Sequence, residues 1–279
     1  MNINDVNRIL SDTAYTRYGG SDGEKRCALY IKGECQKLGL SAAIESFEIK
    51  RSPKDASDTS LSHNVILNIK GESEETVIAS AHYDSVAASH GAYDNMSGAI
   101  ILLYLAERFK KAKLKRSLRL LWCGSEERGL IGSRKYCEIH EKELRSAILN
   151  INLDMLGSAY GKFVFFSCTD EASKKYFEEY FKETRIPCKV KYDIRSSDSN
   201  SFIFNDVPAV SFARYARDLS FVHTENDTRD KVSPARLIGD ARIIGSFTEF
   251  ILNIDTLPSF GISEEIAMKV DEKFLRYKS

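Results

Sequence analysis

Short apolar runs alternate with longer amphipathic segments along most of the chain. Runs rich in Val, Ile, Leu and Phe are typical of buried strands, whereas apolar residues spaced three or four apart indicate helices. The predicted strands are Ala43–Lys50, Asn64–Ile69, Thr76–Ala81, Ser117–Cys123, Ala147–Leu153, Phe163–Ser167 and Ala209–Phe212. The predicted helices are Asn4–Thr16, Glu24–Leu38, Met96–Phe109, Gly129–His140, Glu171–Lys182, Ser233–Ile254 and Ser263–Tyr277.

The order of these elements predicts a single α/β domain over residues 1–279. Strands that alternate with helices favour a mostly parallel, mixed central sheet with helices on both faces. The polar segment Arg51–Ser62 contains a proline and is predicted to be a surface loop. In the last helix Ile266, Val270 and Phe274 are four residues apart, so this helix is expected to dock on the body of the domain.

Composition narrows the choice of partners and location. Lys+Arg and Asp+Glu are equal at 40 each, which gives no global electrostatic reason to expect nucleic acid or an acidic membrane surface as a partner. The amino terminus lacks a basic region followed by an apolar one, and no apolar run is long enough to span a bilayer. Six cysteines without CxxC spacing are expected to be reduced thiols, and a cytoplasmic location follows.

Five acidic or histidine side chains stand where a pair of divalent metals would need them, most of them directly after an apolar run. They are His82 in AHYDS, Asp94 in GAYDNMSG, Glu127 in GSEERGLIGS, Asp154 in INLDMLG and His223 in FVHTEND. Open α/β sheets place their sites at the carboxyl ends of strands. Nitrogen and oxygen ligands without thiolate favour Zn²⁺, with Mn²⁺ or Co²⁺ as alternatives.

Each residue also has an ordinary structural explanation. His82 is compatible with a hydrogen-bonded buried histidine, Asp94 with a helix N-cap, and Asp154 with a salt-bridged aspartate. Glu126 and Glu127 are compatible with acids in a first helical turn. The joint placement of the five favours a metal centre instead, in which Glu126 is left free as a general base.

Other polar residues have weaker support for a place in the predicted metal centre. Asp84 lies two positions after His82, so both side chains point to the same side of a strand, and its carboxylate is placed to orient the imidazole. His90, between His82 and Asp94, is more typical of a loop histidine. His63 and His140 are at element ends and are not expected in the centre.

The blocks AHYDS, GAYDNMSG, SEERGLIGS, LDMLG and VHTEND resemble the metal-binding blocks of the M28 family of zinc aminopeptidases, and the resemblance extends over roughly Asn4 to Asp255. Short intervals from His82 to Asp94 and from Asp154 to His223 leave no room for the domains that related peptidases insert there.

The resemblance implies a role for each residue. One metal would be held by His82, Asp94 and Asp154, and the other by Asp94, Glu127 and His223. Glu126 matches the family's general base, and Asp84 matches the carboxylate that orients the first histidine. Asp198 matches the aspartate of an SDH block, although Ser199 stands in place of the usual histidine. Tyr215 matches a tyrosine that contacts the reaction intermediate in some members.

The resulting prediction is a two-metal exopeptidase that acts on peptides with a free amino terminus. Two alternatives stay open at this point. One is a glutaminyl-peptide cyclase with a single zinc, which keeps fewer ligand positions. The other is a binding domain on the same scaffold that lacks catalysis, although this chain retains every ligand position.

Overall fold

The computed structural model of the protein describes residues 1–52 and 55–278. Within these residues eight strands form one mixed sheet. They are β1 Ala43–Ser52, β2 Asp55–Ile69, β3 Thr76–His82, β4 Ser117–Cys123, β5 Ala147–Leu153, β6 Lys162–Cys168, β7 Lys189–Tyr192 and β8 Ala209–Tyr215. Their spatial order is β1-β2-β4-β3-β5-β8-β6-β7. This confirms the predicted α/β fold class.

Helices cover both faces of the sheet. They are α1 Ile3–Asp12, α2 Asp22–Lys37, α3 Ser97–Phe109, α4 Ile131–Ile139, α5 Glu141–Leu144, α6 Glu171–Glu183, α7 Ser199–Phe204, α8 Pro234–Asn253 and α9 Glu264–Lys278. Polar side chains begin several of them: the hydroxyl of Ser21 accepts the Glu24 N–H, and that of Ser233 accepts the Arg236 N–H. Such caps satisfy N–H groups that the first helical turn leaves unpaired.

The four central strands, β4, β3, β5 and β8, are parallel to one another. Their carboxyl ends therefore meet at one edge of the sheet. On one face, α1, α2, α3, α6 and α8 bury a large apolar core, which includes Trp122, Leu153 and Phe212. On the other face, α4, α5, α7 and α9 pack over two smaller clusters. Burial on both faces explains why the central strands read as nearly continuous apolar runs.

Three predictions of local structure are wrong, and the first is the helix predicted over Asn4–Thr16, which ends at Asp12. The segment Arg51–Ser62 was predicted as a loop, but β1 extends to Ser52 and β2 begins at Asp55, with Pro53 and Lys54 outside the described residues. The paired ends of these strands carry mostly polar side chains, so the apolar pattern that identifies a buried strand is missing. The helix predicted from Gly129 begins at Ile131 instead. The short elements β7, α5 and α7 were not predicted.

The structure also bears on the expectations for the last helix, the cysteines and membrane spans. Ile266, Val270 and Phe274 of α9 are buried in a cluster with Val164 and Phe166 of β6. All six cysteines are free, and five of them are buried. No helix within the described residues has the length and apolar character needed to cross a membrane.

Glu24 is a fully buried carboxyl group in the first turn of α2. Its Oε2 accepts the Gly20 N–H at 2.7 Å, and its Oε1 accepts the hydroxyls of Ser62 at 2.6 Å and Ser125 at 3.2 Å. These bonds join α2 to β2 and to the loop after β4. Burial, followed by the negative charge of Asp84, raises the pKa of Glu24 to about 8.

This carboxyl group should make stability depend on pH. The folded protein retains a proton that the unfolded chain releases near its ordinary pKa of 4.5, so Glu24 costs stability as pH rises between the two values. From about pH 5 to pH 8 we expect Glu24→Gln to gain unfolding free energy relative to the wild-type protein, by roughly 1 kcal/mol per pH unit. Denaturant titrations at several pH values measure this difference. The exposed Glu72→Gln is the control, and parallel pH curves for Glu24→Gln and wild type would contradict the prediction.

Candidate metal centre

The predicted ligands converge at the carboxyl edge of the central strands. His82 is the last residue of β3, Asp154 follows β5, and Glu127 lies in the turn after β4. Asp94 lies in an irregular turn, Ala92–Met96, that leads into α3. The N-cap residue of the following helix is Met96, so Asp94 is not a helix N-cap.

The Asp94 carboxylate lies between two histidines. Its Oδ1 is 3.2 Å from His82 Nε2, and its Oδ2 is 3.2 Å from His223 Nε2. On the first side, Asp154 Oδ1 is 3.7 Å from His82 Nε2. On the second side, Glu127 Oε2 is 3.2 Å from His223 Nε2. Asp94 thus lies between Asp154 with His82 on one side and Glu127 with His223 on the other, and ligand atoms of His82, Asp94 and Glu127 all lie within 4.8 Å of one another, a spacing that could hold a divalent cation.

The two sides of this centre differ in exposure. The His82 side chain is 2% exposed, whereas the His223 side chain is 55% exposed. His223 also has a φ of 62°, which is uncommon for a residue other than glycine. The centre is therefore open to solvent on the His223 side, which is where a substrate would enter.

Asp84 fixes the turn after β4 and lies beside His82. Its Oδ1 is 3.4 Å from His82 Nδ1 and accepts the Glu126 N–H at 3.0 Å. Its Oδ2 accepts the Glu127 N–H at 3.2 Å. One fully buried carboxylate therefore ties the end of β3 to the turn after β4 that carries the two glutamates.

Asp227 fixes the turn that carries Asp94, as Asp84 fixes the turn after β4. It is fully buried, and its two oxygens accept the backbone N–H groups of Tyr93 at 2.8 Å and Asp94 at 3.0 Å. Sequence reasoning missed this role, although Asp227 ends the stretch VHTEND. The side chain of Asn95 completes the support, since its amide donates to the Leu153 carbonyl at 2.8 Å and its oxygen accepts the Met155 N–H at 3.1 Å.

Arg17 is a buried cation that holds the loop between β3 and Asp94. Its guanidinium donates to the backbone carbonyls of Tyr83 at 2.6 Å, Gly91 at 2.8 Å and Thr13 at 3.0 Å. Gly91, with a φ of 55°, would bring a Cβ within 2.4 Å of the Asp94 carbonyl oxygen, so glycine is required there. This arginine was also missed, because nothing in AYTRYGG distinguishes it from a surface residue.

The donor set fits metal ions. Two buried oxygens, Asp154 Oδ1 and Glu127 Oε1, have no hydrogen-bond partner among the described residues. Burial, and then the negative charges of Asp198 and Glu127, raise the pKa of Glu126 well above its usual value. Burial alone would lower the pKa of His82, but the carboxylates around it, led by Glu126, raise it well above the usual value. Divalent cations would neutralise this buried excess of negative charge.

The two predicted substrate residues differ in position. Asp198 is fully buried beside the Ser133 hydroxyl and the Cys123 thiol, and burial raises its pKa to about 6. Its role toward a substrate stays a prediction. Tyr215 is half-buried at the end of β8, close enough to Asp154 and Asp94 for their charges to act on its hydroxyl.

The remaining histidines make contacts outside the ligand cluster. His63 Nδ1 bonds the Ser46 hydroxyl, and His140 bonds the carboxylates of Glu45 and Glu143. His90 contributes its backbone carbonyl to Arg17.

Comparisons with known proteins agree on family and fold. The family model described as Peptidase family M28 matches residues 64–248, more than half of the chain. Aminopeptidase YwaD of Bacillus subtilis is 42% identical over 89 residues, which are 32% of this chain and 20% of that protein. The first curated relatives are matched over a fifth to a third of their own length.

Two solved structures share the fold. BSAP, a zinc aminopeptidase from Bacillus subtilis, superposes with a TM-score of 0.79 at 17% identity, over 95% of this chain and 98% of that chain. The glutaminyl cyclase of Porphyromonas gingivalis superposes with a TM-score of 0.71 at 18% identity, over 90% of this chain and 97% of that chain.

The contact between Asp227 and the Asp94 backbone predicts an effect on metal affinity. In Asp227→Asn an NH₂ group would face one of the two N–H donors, so the Asp94 turn should shift. We expect zinc affinity to fall about 10- to 100-fold, as is usual when a group that orients a ligand is lost. Competition with a chromogenic chelator measures it. Asp230→Asn, an exposed neighbour, is the control. Wild-type zinc affinity in a folded Asp227→Asn protein would refute this role.

Proposed function

This chain belongs to peptidase family M28, and we propose on that basis that it is a metal-dependent aminopeptidase that removes amino-terminal residues from peptides. The observation that carries the proposal is the Asp94 carboxylate, which has one oxygen 3.2 Å from each of two histidines. A carboxylate that bridges two ligand groups suits a pair of metal ions. A single metal ion would need no such bridge. We propose zinc in both positions, which nitrogen and oxygen donors without thiolate support.

In this proposal His82, Asp94 and Asp154 hold one ion, and Asp94, Glu127 and His223 hold the other. When bound, the ions supply Lewis acidity toward the scissile carbonyl and the attacking water. Glu126 takes a proton from that water while the water oxygen forms a bond to the carbonyl carbon. When the peptide C–N bond breaks, Glu126 delivers the same proton to the leaving amine. Water thus adds across the bond and no further reactant is needed.

Selection of chain ends follows from the charge of the centre. The carboxylates of Asp154 and Glu127 each have an oxygen without a hydrogen-bond donor among the described residues. A free amino terminus carries donors that such oxygens accept. Tyr215, at the carboxyl end of β8, is proposed to contact the substrate near the reacting carbonyl. A cytoplasmic location is proposed as well, which six free cysteines support.

A glutaminyl cyclase is the second candidate, because one solved cyclase shares the fold. The complete second ligand group, Glu127 and His223 with Asp94, favours the peptidase. Metal analysis of the purified protein, together with a panel of aminoacyl chromogenic substrates and a glutaminyl peptide, tests the choice. Release of the chromogen with two metal equivalents supports the peptidase, and pyroglutamate formation with one supports the cyclase. A protein that binds no metal would be a binding domain.

Glu126 provides the sharpest test of the mechanism. Glu126→Gln keeps the size of the side chain but cannot take a proton, so we expect turnover to fall about 10²- to 10⁴-fold. Metal content should stay at the wild-type value, because Glu126 is outside both ligand groups. Steady-state kinetics and metal analysis on the same sample measure the two quantities. The exposed Glu141→Gln is the control. Turnover within a few-fold of wild type would remove Glu126 as the base.

A further inference from the structure

Two aromatic rings meet on the sheet face that α7 and α9 cover. Phe166 of β6 and Tyr215 of β8 meet edge to face, with ring centroids 6.1 Å apart. β8 runs parallel to β5, with Leu153 opposite Phe212, so the carboxyl end of β8 lies at the same sheet edge as Asp154. Tyr215 is the last residue of β8 and therefore the member of the pair nearer the proposed metals.

Arg195 stacks on both rings. Its guanidinium carbon is 5.1 Å from the Phe166 centroid and 5.2 Å from the Tyr215 centroid. Lys191 adds a second cation, with Nζ 5.4 Å from the Phe166 centroid. Rings that flank a guanidinium attract its charge and fix its plane. The exposed Arg195 is thus held in one orientation without being buried.

Arg195 has no ion-pair partner in the described part of the chain. No carboxylate there lies within 4.0 Å of its guanidinium, although Asp193 is near enough for the charge of Arg195 to act on it. Asp193 is instead 3.3 Å from Lys269 and accepts the Ile194 N–H at 2.9 Å. By contrast, the buried Arg214 has Asp240 at 2.6 Å. A fixed and unpaired guanidinium is free to bind an anion.

Tyr215 connects this cation to the centre. Its ring is 5.2 Å from the Arg195 guanidinium carbon, and the backbone N–H of its neighbour Arg214 donates to the carbonyl of Met155, the neighbour of Asp154, at 2.8 Å. Only one side chain therefore separates the guanidinium from the proposed ligands. A group bound to Arg195 would belong to the residue beside the scissile bond or to the one after it.

Resting on the proposed function, we propose that Arg195 is a specificity-determining residue that selects peptides carrying a carboxylate next to the scissile bond. The planar guanidinium presents paired N–H donors that match the two oxygens of a carboxylate. Two sources have this chemistry. One is the side chain of an amino-terminal aspartate or glutamate, and the other is the terminal carboxylate of a dipeptide.

The test compares wild type, Arg195→Gln and Arg195→Lys, each loaded with zinc, on matched substrate pairs. Glu- and Gln-anilides differ only in a side-chain carboxylate, and Leu-Gly and Leu-Gly-amide differ only in a terminal one. We expect Arg195→Gln to lower kcat/KM for the Glu-anilide by about 10-fold or more, mainly through KM, since one charge-assisted contact is lost. The Gln- and Leu-anilides should change less than about threefold. Lysine should restore part of the loss.

The matched control is Arg134→Gln. Arg134 lies 5.6 Å from the Phe274 centroid, so the same kind of cation–ring contact is removed at α9. A fall confined to the Leu-Gly over Leu-Gly-amide ratio would assign the terminal carboxylate as the source. Equal losses on all five substrates would overturn the proposal and make Arg195 a positioning residue for Tyr215. Unchanged ratios would overturn it as well.

Binding without turnover separates this proposal from the proposed function. Calorimetry on zinc-loaded Glu126→Gln should show that free L-glutamate binds more tightly than L-glutamine, and the added change Arg195→Gln should abolish the difference. If wild type hydrolyses no substrate but this preference is present, the aminopeptidase proposal fails and the Arg195 site stands. If hydrolysis is present and neither the glutamate preference nor the Leu-Gly over Leu-Gly-amide ratio depends on Arg195, the opposite holds.

Discussion

Carboxylate groups are concentrated where β3, β4 and β5 end. The surrounding structure has to compensate their negative charge with hydrogen-bond donors or cations. Asp94, Glu126 and Asp84 are all buried there. Isolated buried carboxylates are costly, so such a cluster persists only with cations or with hydrogen bonds to every member. Beside them, Asp154 and Glu127 each have a buried oxygen that lacks a hydrogen-bond donor among the described residues. The surrounding structure is therefore built to receive positive charge at this edge.

The carboxylates that do not face the open centre are occupied by backbone N–H groups. Asp84 accepts two consecutive N–H groups from the turn after β4, and Asp227 accepts two from the turn before α3. Each uses both oxygens on neighbouring donors, which fixes the direction of a turn. Arg17 holds the loop between them through backbone carbonyls. Ligand direction is thus determined by groups that do not bind metal.

Much of this was predictable where the signal is local. The ligands follow apolar strands in short motifs, so their order and their common sheet edge could be read from the chain, and the family resemblance is confirmed. Arg17 and Asp227 could not be identified in this way. Arg17 is separated by 66 residues from Tyr83, and Asp227 by 134 from Tyr93, and no local pattern reports such contacts. The ends of β1 and β2 were not predicted for another reason. Polar strands outside the core lack the alternation of apolar residues that identifies a strand.

Two kinds of cation are proposed at this sheet edge, the metal ions and the Arg195 guanidinium, and the fold keeps them apart. A guanidinium in direct contact with Asp154 or Glu127 would form an ion pair and compete with a metal for the same oxygens. Arg195 is held back from these carboxylates by its contacts with Phe166 and Tyr215. The rings stabilise the cation without neutralising it, because they carry no net charge. Under the two proposals, the metal ligands thus remain free for metal, and the guanidinium remains free for the anionic group of a substrate.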